Sequence, residues 1–210
     1  MKKFLRDNGL TIALLAMFVL SVIGMTAGGL GAYNEELRDH GARPIGLLAY
    51  MASGDFLSAL FENWESEFLQ MSAYVMLTAI LFQRGSAESR DPDDPIRPGD
   101  VMTSPGLRPV LAWAYQHSLG LALTFLFVAS FVLHVIFSVD AANERAVLHG
   151  AEPTNLLSYL TDAQLWFESF QNWQSEFLST GVLVVLSIFL RHKGSPESKP
   201  VGAEHADTGA

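Results

Sequence analysis

The chain has 210 residues, of which 50% are hydrophobic and 17% charged, and its formal net charge is −9. Soluble domains carry about 25% charged residues, and a nucleic-acid binder needs a basic stripe that this acidic chain lacks. It has no cysteine, which excludes disulfides, thiolate metal sites and cysteine nucleophiles.

Mean hydropathy is +0.25, and the apolar residues collect in four runs with the charges between them. Residues 10–31 contain no charged side chain, and about 20 apolar helical residues suffice to cross the hydrocarbon core. Lys2, Lys3 and Arg6 ahead of that run, with small residues over 28–32, also fit a signal peptide. Against that reading, the third run is its internal counterpart, and an internal segment cannot be a signal peptide. The second run, 68–82, is short and follows a polar stretch of helical pattern, so a span is expected over about 62–83. The third covers 118–139 and is interrupted only by His134. The fourth, 177–190, is again short, and its span is expected over about 171–191. Thr161 and Asp162 supply a helix start before it.

Sliding the sequence by 109 positions aligns its halves without a gap. Asn34-Glu35 meets Asn143-Glu144, His40-Gly41-Ala42 meets His149-Gly150-Ala151, and Tyr50 meets Tyr159. Asn63-Trp64 and Ser66-Glu67-Phe68-Leu69 meet Asn172-Trp173 and Ser175-Glu176-Phe177-Leu178. About two in five positions from 34 to 90 are identical to their counterparts. The expected fold is therefore an all-α membrane protein of four transmembrane helices, made of two parallel copies of a two-helix repeat. The first repeat takes residues 1–90 and the second 110–199. Between them, 91–109 reads as a cytoplasmic connector rich in aspartate and proline, including Pro92, Pro95, Pro98, Pro105 and Pro109. Asp91, Asp93 and Asp94 lack the glycine and distal glutamate of a calcium loop. Residues 200–210 read as a disordered tail.

Ten of the thirteen Lys and Arg lie before the first span, between the repeats or after the last span. Only Arg38, Arg43 and Arg145 lie in the loops within the repeats. The positive-inside rule then puts both termini in the cytoplasm.

Asn63, Ser66, Glu67 and Gln70 fall on one helical stripe, beside Trp64. Asn172, Ser175, Glu176 and Ser179 repeat the stripe, beside Trp173. Helices in lipid turn polar residues toward the bundle, so these residues are the candidate polar site. One reading makes them interfacial residues and packing glue. The other buries Glu67 and Glu176 as a pair that binds a cation or exchanges a proton. Glu62 and Glu65 stand opposite Gln171 and Gln174 and are read as less central. In the outer loops, Glu35 with His40 and Glu144 with His149 form a secondary candidate, because imidazole and carboxylate bind zinc or sense pH. The same residues also fit turn chemistry at a helix end. No metal and no cofactor is expected. Gly24 and Gly28 make a GxxxG step suited to close helix packing. No nucleotide-binding loop, nucleophile elbow or HExxH motif occurs, so no enzyme is expected.

At its doubled Asn-Trp-x-Ser-Glu-Phe motif, and at Gly85-Ser86-Ala87-Glu88-Ser89 and Gly194-Ser195-Pro196-Glu197-Ser198, the chain resembles a family of uncharacterised bacterial membrane proteins. That family is grouped as a domain of unknown function. The resemblance implies a multi-pass protein of the bacterial cytoplasmic (inner) membrane and no mechanism. Two functions stay open: a non-catalytic structural or accessory membrane protein, and a proton or small-cation channel or exchanger. The bilayer is the expected partner, with no nucleic acid, and a homodimer would suit conduction best.

Overall fold

The computed structural model describes residues 2–96, 100 and 108–209. The connector's Arg97, Pro98 and Pro105 lie outside the described residues. Among the described residues the regular structure is all helical, in the order α1 (Lys2–Asp7), α2 (Gly9–Asp39), α3 (Leu47–Met51), α4 (Gly54–Thr78), α5 (Pro109–Gln116), α6 (Ser118–His149), α7 (Leu156–Tyr159) and α8 (Ala163–Phe189). α2 and α6 are long and apolar enough to cross a membrane. At 1.5 Å per residue each is over 45 Å long, roughly, against a hydrocarbon core of about 30 Å.

The starts of α2, α3 and α4 at 9, 47 and 54 are matched by those of α6, α7 and α8 at 118, 156 and 163. Each pair differs by the 109 positions of the sequence shift. Local chemistry explains the match. α2 ends in a Schellman turn: Gly41 N–H donates to Arg38 O at 2.9 Å and Ala42 N–H to Leu37 O at 2.7 Å. α6 ends the same way, Gly150 to Val147 O and Ala151 to Ala146 O at 3.3 and 2.8 Å. Gly41 and Gly150 have φ of +71° and +66°, where a side chain is strained. α4 stops at Thr78, short of the span end expected near 83. There the Thr78 hydroxyl donates to Tyr74 O at 2.8 Å, competing for a carbonyl near the helix end.

Two compact units divide the chain. One comprises Met1–Leu60 with Leu133–Asp162, the other Phe61–Val132 with Ala163–Ala210. In the first unit, Asn34 bridges the loop after its helix, accepting from Ile45 N–H at 2.7 Å and donating to Ile45 O at 3.0 Å. Asn143 does the same to Thr154, at 2.7 and 3.1 Å. The first residue of α4, Gly54, lies so close to α6 that a Cβ would meet Ala141 N at 2.3 Å.

In the second unit, α4 meets the first half of α6 where Ser72 and Thr124 share a hydroxyl hydrogen bond of 2.8 Å. Residues 200–209, expected to be a disordered tail, have no regular structure but fold back on the loop after α4. Gly209 N–H donates to Ser86 O at 2.9 Å, and Gly85 N–H to Thr208 Oγ1 at 2.8 Å. Lys199, 1% exposed, closes the segment with Nζ on the carbonyls of Glu204, His205 and Asp207. Burial, helped by the Arg191 charge, lowers the pKa of this ammonium.

Burial runs opposite to a water-soluble protein. Leu10, Leu14, Leu15 and Leu20 of α2 are exposed, as are Phe125 of α6 and Leu178 of α8. Fully buried side chains include His134, Glu65, Ser86 and Ser169. A soluble protein rarely exposes contiguous apolar surface on this scale.

Candidate functional site

α4, of 25 residues, carries its motif over about two turns, and its 3.6-residue period sets which motif residues face its neighbours. Within the second unit the motif residues of α4 and α8 meet directly. Asn172 Nδ2 donates to Glu62 Oε1 at 2.5 Å. Trp173 Nε1 donates to Glu65 Oε1 at 3.2 Å. Gln70 Nε2 donates to Thr180 Oγ1. The partners are 110, 108 and 110 positions apart, so α4 and α8 run parallel, with equivalent positions side by side.

At its first turns the face of α4 toward α8 is thus turned by about one residue, or 100° of helix, from the expected stripe, while Gln70 and Asn172 of that stripe do meet the other helix. Glu65 and Ser66 are buried, whereas Asn63 and Glu67 are exposed. Trp64 is half-buried, its ring edge-to-face with Phe61 at 5.4 Å. On α8, Asn172, Trp173 and Glu176 are half-buried, while Ser175 and Ser179 are exposed. Ser66, Ser175 and Ser179 spend their hydroxyls on carbonyls of their own helices, those of Asn63, Asn172 and Glu176, at 2.8 to 2.9 Å. Trp173 sits in an aromatic cluster with Phe170, Phe127 and Phe131, at ring separations of 5.2, 6.4 and 6.4 Å.

Glu62 and Glu65, set aside in the sequence reading, are the acids that join the seam. No single-helix pattern marks them, because which side of α4 faces α8 is decided by the pair. Their positional counterparts, Gln171 and Gln174, are exposed, and the residues of α8 that face them are Asn172 and Trp173.

Near the end of α4, Tyr74 donates to Oε2 of Glu88, in the loop beyond it, at 2.6 Å. Glu88 lines a cavity of about 240 Å³ together with Val75, Thr78 and Arg90. Burial first, and then the Glu197 carboxyl, raise the Glu88 pKa, against the opposing hydrogen bond from Tyr74.

In the first unit the secondary candidates separate. Glu35 is exposed. Glu144 caps the start of α4, its Oε1 accepting from Gly54 N–H at 3.0 Å and its Oε2 from Tyr33 OH at 3.3 Å, as an anion at a helix N-terminus should. Burial and the Glu144 charge push the Tyr33 pKa up to about 12. Beside this cap, Arg145 pairs with Asp55 at 2.7 Å. His40 and His149 come together edge-to-face, with ring centroids 4.6 Å apart.

No curated protein and no solved structure matches the chain. The family model described as "Domain of unknown function (DUF6766)" matches residues 1–210. A match over the whole length shows that the chain belongs to the DUF6766 family.

Proposed function

We propose that this is a multi-pass membrane protein with a structural or accessory role rather than a catalytic one, in which the Asn-Trp-x-Ser-Glu-Phe motif fastens two parallel helices. The observation that carries the reading is Glu65, 0% exposed, accepting the indole N–H of Trp173. Polar atoms engaged in this way act as interhelical glue.

In this reading α4 and α8 cross the bilayer as well as α2 and α6, giving four spans. At 25 and 27 residues they reach roughly 37 and 40 Å, enough to cross with tilt. Two copies of a two-helix unit then share one orientation, a duplication supported by helix starts, Schellman turns and asparagine bridges that recur 109 positions apart. The Lys and Arg bias favours cytoplasmic termini in a bacterial inner membrane. The bilayer is the partner required, and neither nucleic acid nor a cofactor enters.

Reconstitution into liposomes with a pH-sensitive dye, under an imposed proton or potassium gradient, tests the proposal. No flux above empty liposomes is expected. Flux that disappears in folded Glu65→Gln or Glu67→Gln protein would replace it with the channel or exchanger reading.

A further inference from the structure

We propose that His40 and His149 form a two-histidine site for a divalent transition-metal ion of the copper, nickel and zinc class. The two residues are 109 positions apart in sequence, yet their rings lie 4.6 Å apart between centroids at an interplanar angle of 65°. Two imidazoles on one ion, each with a metal–nitrogen bond of about 2.1 Å, bring their centroids to about 5 Å. The observed edge-to-face spacing therefore puts both rings within reach of one ion after a small rotation of the side chains.

Their hydrogen bonds prepare the rings further. Nδ1 of His40 lies 2.9 Å from Glu36 O, and Nδ1 of His149 lies 2.8 Å from Arg145 O. A carbonyl oxygen only accepts, so in both rings Nδ1 carries the proton. Nε2 is then the nitrogen with the free lone pair. A backbone carbonyl on the far nitrogen is the usual device that fixes tautomer and ring orientation in metal-binding histidines.

Position favours a cation as well. Both residues stand at the C-terminal ends of the long helices α2 and α6, where the helix dipole presents its negative end. Both are exposed, so an ion reaches them without any opening of the fold. Gly41 and Gly150, in left-handed conformation, end the two helices directly after the histidines and hold them in register. Two nitrogen ligands leave the remaining positions to water, so the site binds reversibly, and copper binds more tightly than nickel or zinc. A bound ion would clamp the ends of α2 and α6 together.

The test is calorimetric titration of the tag-free, full-length protein in detergent with zinc chloride and with copper sulfate. One ion per chain is expected. His40→Gln and His149→Gln should each weaken binding roughly tenfold or more, and His192→Gln with His205→Gln should leave it unchanged. Copper electron paramagnetic resonance of the wild type should report two nitrogen ligands, a readout that depends on no variant. Equal binding by wild type and the His40→Gln, His149→Gln protein would overturn the site. So would the absence of saturable binding below roughly 1 mM.

Discussion

Trp173 donates its indole N–H to the carboxylate of Glu65, a side chain shut off from solvent, at 3.2 Å. The bond ties α8 to α4 at equivalent levels of two parallel helices. On either side of it, Asn172 to Glu62 and Gln70 to Thr180 repeat the arrangement. A carboxylate out of water needs such donors, because its desolvation costs several kcal/mol.

The parallel pairing predicts a specific crosslink. The native chain has no cysteine, so an introduced pair reports without background. Gln70→Cys with Thr180→Cys should oxidise to an intramolecular disulfide in membranes, because these side chains touch. Asn63→Cys with Thr180→Cys should not, since Asn63 is exposed and two turns away. Equal crosslinking of both pairs, read by gel mobility, would contradict the pairing.

Much of the architecture was legible in the sequence, and the rotation of one helix was not. The uncharged runs mark α2 and α6, and the 109-residue shift foretells the recurrence of helix starts and of the Asn34 and Asn143 bridges. Those features follow from local chemistry that any single copy carries. The facing side of α4 is a property of the pair. Residues 62, 65 and 66 and residues 63, 66 and 67 make equally good stripes on one helix, and only the neighbour decides between them. Glu65 differs from its counterpart Gln174 and Glu67 matches Glu176, yet Glu65 is the acid that reaches Trp173. The docking of residues 200–209 on the loop at Gly85 was also hidden, since backbone carbonyls around Lys199 leave no composition signal.

The two asparagine bridges should matter to similar degrees. Each carries two hydrogen bonds to backbone across eleven residues of chain. Asn34→Ala or Asn143→Ala leaves a part-buried backbone N–H and C=O without their side-chain partner, at about 1 kcal/mol. Thermal unfolding in detergent should show a drop for either variant. An unchanged midpoint for both would show that the loops need no bridge.

Gly85 and Gly194 occupy equivalent left-handed positions, with φ of +84° and +87°, yet should respond differently to alanine. Both variants incur the left-handed penalty of about 1 kcal/mol. At Gly194 the new Cβ meets nothing within 4 Å, whereas at Gly85 it meets the backbone oxygen of His205 at 2.7 Å. Gly85→Ala should release the C-terminal segment to limited proteolysis and Gly194→Ala should not. The same cleavage rate in both would remove the tail contact from the account.

Glu88 gives the loop after α4 a pH dependence. Its folded pKa is raised by burial and by Glu197, so the folded state holds the proton more tightly than the unfolded chain. Stability from this group is full below the ordinary glutamate pKa and is lost as pH rises through the folded value. Amide exchange at Ser86 and Glu88, corrected for its intrinsic pH dependence, should show protection falling as pH rises above the ordinary glutamate range. Glu88→Gln should flatten that trend, and a wild-type profile already flat would contradict it.

A double-mutant cycle on Glu65 and Trp173 shows whether the motif fastens α4 to α8. Unfolding of Glu65→Gln, Trp173→Phe and the double variant would be measured in one detergent. A coupling of about 0.5–3 kcal/mol is predicted for residues in contact, with the second substitution costing less once the first has been made. Additive effects would mean that the two side chains do not act together, and the fastening role would fall.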